Sequence, residues 1–211
     1  MCISQTTKNT LLKHVIPKSY SVIYDPISII FKRNFKEFNQ IKPVILHIGT
    51  NWNKNLAGVI IALRDISCTL RIIGKIEQKD IALLQENGIN WSQAENLSDQ
   101  EILEEYINCD MVSFPSIYEG FGMPIIEGQA VGRVVLTSKI DPMPEIGGAD
   151  SAYYVNPADV NEIRNGFLCL INDAALRERL VENGFENSKR FSLDIILQEY
   201  MDIYNRYSDH S

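Results

Sequence analysis

The sequence predicts an α/β fold, a doubly wound parallel sheet with extra helices at its carboxyl end, and three observations carry that prediction. From Lys42 onward, apolar runs of strand length alternate with amphipathic stretches of helical period. Glycines stand where strands give way to helices, at Gly49 and again at Gly120 and Gly122. The chain of 211 residues is 45% hydrophobic, which suits one such domain with appendages and excludes disorder.

Taken in order, residues 6–14 have helical character but a thin apolar face, and 28–40 read as a linker. Residues 43–48 form a buried strand ending at Gly49. A helix is expected over 52–65, with Leu56, Val59, Ile60 and Leu63 on one face. Residues 70–74 are the next strand, and 80–87 a helix stopped by Gly88. Ser98 opens a further helix through Leu103 and Ile107, with Glu101 at capping-box spacing. Residues 111–114 and 134–136 are strands, and amphipathic helices follow over 161–171, 174–190 and 193–207. Ligands of such a sheet lie at the carboxyl ends of its strands.

The stretch 114–130 is the most informative. An apolar run stops at Pro115, a loop carries Glu119, Gly120 and Gly122, and Pro124 suits the first position of a short helix ended by Gly132. Glycines leave backbone N–H groups open to close approach, and the start of a helix favours an anion such as phosphate. Glu119 before the helix and Glu127 near its first turn can point to one side. Carboxylates there accept hydrogen bonds from the vicinal hydroxyls of sugars and riboses. The loop 49–55 offers a second phosphate position, with Gly49 for close approach and Lys54 as a reaching cation.

Composition narrows the partners. The net charge of −7 argues against an electrostatic grip on nucleic acid or anionic lipid. The four cysteines are scattered without metal spacing and read as thiols of a reducing cytoplasm. No apolar run reaches the length of a transmembrane span, and the first residues do not read as a signal peptide. An acidic, soluble, cytoplasmic protein is expected. His47, inside an apolar strand, reads as a core histidine, while His14 and His210 lie in terminal segments.

Pro115-Ser116, Tyr118-Glu-Gly-Phe-Gly-Met-Pro124 and Glu127 together resemble the signature of retaining glycosyltransferases of the family 4 type, whose mark is two glutamates separated by seven residues. The resemblance implies a GT-B architecture, of which this chain looks like the Rossmann-like C-terminal half. It implies that Glu127 holds the ribose hydroxyls, and that Glu119 orders the sugar and stabilises positive charge at its anomeric carbon. Amides of Gly120, Phe121, Gly122 and Met123 would hold sugar and diphosphate together with Lys54. A lysine there favours the departing diphosphate, whose charge grows as the sugar bond breaks. Segment 49–55 is similar to the family's donor-phosphate loop, with Thr50 where many members carry arginine. Segment 95–99 corresponds to the loop that meets the base through main-chain groups, which makes Leu97 a candidate, although Glu95 replaces the usual glycine. Residues 141–148 match a Pro-Glu turn, in which Glu145 reads as a structural cap.

The implied donor is a UDP- or GDP-sugar, with no cofactor and no metal. The sequence has no Asp-x-Asp pair and no Gly-x-Gly-x-x-Gly opening a helix. By the resemblance, the expected organisation is 1–40 as a remnant of an N-terminal domain with linker, in which 22–26 match the family's strand, 41–190 as the nucleotide-sugar-binding domain, and 191–211 as a helix returning toward the N-terminal side. From the residues alone, the first 40 read equally as a helical appendage of a single domain. Two functions follow from the resemblance. In one, the chain works with a separately encoded acceptor-domain chain, in bacterial polysaccharide assembly and at the inner membrane through that partner. In the other, it binds nucleotide sugar, or nothing, without catalysing transfer.

Overall fold

The computed structural model describes residues 1–17 and 19–208. Its elements in chain order are α1 (Gln5–Leu11), β1 (Val44–Ile48), α2 (Leu56–Ala62), β2 (Thr69–Ile73), α3 (Gln78–Glu86), β3 (Trp91–Ala94) and α4 (Asp99–Asn108). Then come β4 (Met111–Phe114), α5 (Met123–Val131), β5 (Val134–Ser138), α6 (Met143–Gly147), β6 (Tyr153–Val155), α7 (Val160–Asn172), α8 (Ala174–Ser188) and α9 (Leu193–Ser208). The strands form one parallel sheet in the order β3-β2-β1-β4-β5-β6. That is the doubly wound arrangement, with its direction of growth reversing between β1 and β4.

Alternation along each central strand splits the core between two faces, as it must when both are covered. Ile45, Leu70, Met111 and Leu136 pack with α2 and α7 on one side. Leu46, Val112, Phe114 and Val135 pack with Tyr106, Ile125 and Val131 on the other. A third cluster gathers Phe121, Ile126, Ile146 and Phe191 beneath the loop that precedes α5.

Several elements differ from the sequence expectation, each for a local reason. The helix expected over 52–65 is broken. Trp52–Lys54 form a single 3-10 turn, and Asn55 takes a left-handed conformation (φ 63°) before α2 begins. Asn55 Nδ2 donates to the carbonyls of Pro115 at 3.1 Å and Pro157 at 2.8 Å, a tertiary demand that periodicity does not register. The edge strands β3 and β6 are additions; Trp-Ser-Gln-Ala and Tyr-Tyr-Val owe their conformation to the neighbours they pair with. The turn 141–148 contains the short helix α6. Residues 22–26 pair only through a single bridge from Val22 to Cys2.

The segment read as a linker has no helix or strand, yet it is strapped down. The buried Asp110 carboxylate accepts from the amides of Val44 (2.7 Å) and Asn39 (3.0 Å) and pairs with Lys36. The buried Arg133 guanidinium donates to the carbonyls of Tyr106 (3.0 Å), Ile107 (2.7 Å) and Asn34 (2.8 Å). The strap therefore closes over the amino ends of β4 and β5.

His47 lies on the α2 side of β1, completely buried, and pairs in register with Ser113. Its ring nitrogens and the hydroxyls of Ser113 and Ser116 are buried without a hydrogen-bond partner among the described residues. Burial pushes the imidazole down to about 4, and the nearby Lys54 charge adds to the effect. An unfolded histidine takes up its proton near pH ~6.5, so acidification favours the unfolded state until the native imidazole also titrates. We expect the stability of the wild type relative to His47→Leu to fall by about 3 kcal/mol between neutral pH and pH ~4, then to level off. Urea denaturation of both chains across that range measures it.

Candidate functional site

Loops leaving β1 and β4 meet at the reversal point of the sheet. After β1, Gly49 adopts φ +90°, and its missing side chain makes room for Lys54: a Cβ there would stand 2.9 Å from Lys54 Cγ. The lysine stem folds back over the glycine and across the Phe114 ring, with Nζ 4.7 Å from the ring centroid. Its ammonium donates to Glu119 Oε1 at 2.7 Å, and both side chains are largely buried. Asn53 reinforces the meeting. Its Nδ2 donates to the Tyr118 carbonyl (2.9 Å) and to Glu119 Oε1 (3.2 Å), while its own carbonyl accepts from the Ile117 amide at 2.8 Å.

Gly122 opens α5 at φ 116°, a conformation that side chains rarely tolerate. Pro124 takes the second helical position, one later than expected, where a missing N–H is equally harmless. Glu127 follows in the next turn. Tyr106 Oη of α4 donates to Glu127 Oε2 at 2.6 Å. Burial raises the Glu127 pKa, Tyr106 opposes the rise, and the charge of Asp99 adds to it.

The remaining expected residues divide by what their side chains do. Phe121 is buried against Tyr24 and Phe191, so only its main chain can face a ligand. Met123 packs on the same cluster, and Leu97 against the core beside α4. The Thr50 hydroxyl donates to the Lys75 carbonyl at 2.5 Å, which turns its side chain toward the β2–α3 loop. Glu145 accepts from the Gln5 amide at 2.8 Å and so caps α1. Gly120 is held through its carbonyl, which accepts from Ser4 Oγ at 2.8 Å and Thr7 Oγ1 at 3.2 Å.

Together these contacts place α1 beside Glu119. A cleft of about 270 Å³ lies between them, lined by Thr6, Thr10, His14, Tyr118 and Glu119. His14 thus sits at the rim of the site, whereas His210 lies outside the described residues. A larger cleft of about 450 Å³ opens at the opposite end of the sheet, lined by Arg33, Lys36, Arg133 and Arg177. Its cations are engaged, Arg33 with Glu182, Lys36 with Asp110, and Arg133 and Arg177 with main-chain carbonyls. Among the described residues, no three His, Cys, Asp or Glu side chains group as a metal site would require. No helix among them is long and apolar enough to cross a membrane.

A model of the glycosyl transferases group 1 matches residues 28–187. The chain belongs to that family. An uncharacterized glycosyltransferase of Methanocaldococcus jannaschii is 28% identical over 99% of this chain. The MMP alpha-(1->4)-mannosyltransferase of Mycolicibacterium hassiacum is 29% identical over 68% of it. This group 1 chain spans 60% of the length of the first relative and 36% of the second. The fold is shared with sucrose-phosphate synthase of Thermosynechococcus elongatus, at a TM-score of 0.87 and 18% identity over 100% of this chain and 58% of that one. It is shared equally with Anabaena HepE in complex with UDP and glucose, at 0.84 and 17% over 97% and 62%. The chain is thus an α/β member of a GT-B glycosyltransferase family.

Of the expected residues, the structure brings Lys54 and Glu119 together and joins Glu127 to Tyr106. Asn53, although inside the 49–55 loop, does not stand out in the sequence, nor do Tyr106 and the Ser4–Thr7 pair, which lie outside the loops. The packing of Lys54 over Gly49 generates a test. Gly49→Ala is expected to cost about 1–2 kcal/mol from its positive φ alone and to push the lysine from Glu119. Lys54→Ala should then cost measurably less in the Gly49→Ala background than in the wild type, a coupling read from a double-mutant denaturation cycle.

Proposed function

We propose that this chain supplies the donor-binding half of a retaining, metal-independent glycosyltransferase of the family 4 type. It would take a UDP- or GDP-sugar and pass the sugar to an acceptor. The observation that carries the reading is the meeting of Lys54 and Glu119, 2.7 Å apart, where the loops of β1 and β4 converge. Lys54 and the Thr50 amide suit a diphosphate, joined by the amino end of α5, while Gly49, whose own amide donates to the Ile73 carbonyl at 2.8 Å, serves by leaving room for the lysine. Glu127, already bound by Tyr106, suits the ribose hydroxyls. Glu119 and the amides from Gly120 to Met123 suit the transferred sugar. As the glycosidic bond to the donor breaks, Lys54 would shift from Glu119 toward the phosphate oxygens that gain charge. Glu119, freed of its ion pair, would face the anomeric carbon as positive charge develops there.

The same reading divides the chain into 1–40, 41–190 and 191–211, with residues 209–211 outside those described. The outer segments would join an acceptor-binding domain. Exposed apolar residues on both support this: Leu11, Leu12, Val15 and Ile16 near α1, and Leu197 and Met201 on α9. UDP in the HepE structure supports a UDP-sugar as one of the two candidate donors.

Calorimetric titration of the chain with UDP and with GDP tests the proposal. One nucleotide should bind in the micromolar to low-millimolar range, and Glu127→Ala and Lys54→Ala should each weaken it about tenfold or more. Binding of neither would remove the donor site. Acid should weaken the bound nucleotide too. Because burial raises Glu127's pKa, the ionised acceptor is lost at a higher pH than an ordinary carboxylate would be. The acid limb of binding should accordingly lie above the usual carboxylate range in the wild type and flatten in Glu127→Gln.

A further inference from the structure

We infer that Tyr106 is a positioning residue that aims Glu127 at the ribose of the bound nucleotide. The inference rests on the donor-site reading above and goes beyond it, because Tyr106 lies outside both loops. Its ring is completely buried on the inner face of α4, and its hydroxyl reaches Glu127 Oε2 at 2.6 Å. A phenol buried to that degree must find an acceptor, and a phenylalanine would fill the same space without one. Burial also drives its ionisation far up, so that it serves as a donor at every working pH.

The frame around Tyr106 is independent of Glu127. Phe31 of the strap meets the ring edge-on, with centroids 5.5 Å apart at 81°. The Tyr106 carbonyl accepts from Arg133 Nε at 3.0 Å and from Cys109 Sγ at 3.3 Å. Ring and main chain are therefore set before the hydroxyl meets the carboxylate. The bond fixes Oε2 and leaves Oε1 for the ribose hydroxyls. A glutamate has several rotatable bonds, and holding it in one orientation before ligand arrives removes that ordering cost from binding. Tyr106 would thus act on affinity through Glu127 without touching the ligand.

The test compares two nucleotides on four proteins, with Phe31→Leu as a fifth. The wild type, Tyr106→Phe, Glu127→Gln and the double variant are titrated with the nucleotide diphosphate that binds and with its dideoxy form, which lacks both ribose hydroxyls. Tyr106→Phe should weaken the normal nucleotide about tenfold and the dideoxy form by less than about twofold. The double variant should be no weaker than Glu127→Gln alone. Phe31→Leu, which loosens the ring without removing the hydroxyl, should show the same discrimination at about threefold. In donor hydrolysis, Tyr106→Phe should raise KM and leave kcat near the wild-type value. Equal weakening of both nucleotides, or a lowered Tm with unchanged affinity, would make Tyr106 a packing residue and overturn the inference alone. A wild type that binds neither nucleotide overturns it together with the donor-site reading.

Discussion

The reversal of strand order between β1 and β4 is the constraint on which the site depends. The two strands are neighbours in the sheet, yet α2 and α5 leave them toward opposite faces. Their loops face a common crevice before parting, and residues about 65 positions apart in sequence meet there. Lys54 reaches Glu119 only because Gly49 gives up the space its side chain would fill. The chemistry of the crevice is thus decided by topology first and by one missing methyl group second.

A second layer of control lies at the other end of the sheet. Two buried charges, Asp110 and Arg133, spend their hydrogen bonds on main-chain groups of β1, α4 and the strap. Such charges are costly unless fully engaged, and here the partners are numerous and well placed. The reward is geometrical. The strap is fixed, Phe31 is fixed upon it, and Tyr106 takes its position from both.

What the sequence disclosed follows from where information is local. The long apolar runs, the capped helix after Ser98 and the glycine loop before α5 were legible because each is determined by its own residues. The edge strands were not. Trp91–Ala94 is only half-buried and has no apolar run, and Tyr153–Val155 is three residues long, so partners rather than pattern make them strands. The broken helix after Gly49 was hidden for the same reason, since Asn55 is claimed by carbonyls far along the chain. In the site, the charged loop residues announced themselves through spacing. Tyr106, 21 residues before its carboxylate and on the inner face of a helix, looked like any other core aromatic.

The strap and α1 also bear on what counts as a domain. A boundary drawn from the sheet alone would fall just before β1, where the first strand begins. A fragment cut there would keep every strand. It would lose Phe31 behind Tyr106, Lys36 and the Asn39 amide on Asp110, and the Asn34 carbonyl on Arg133. It would also lose the two hydroxyls that latch the Gly120 carbonyl. The folding unit is therefore longer than the architectural one. Anyone trimming or grafting this module must carry its unstructured-looking preface along with it.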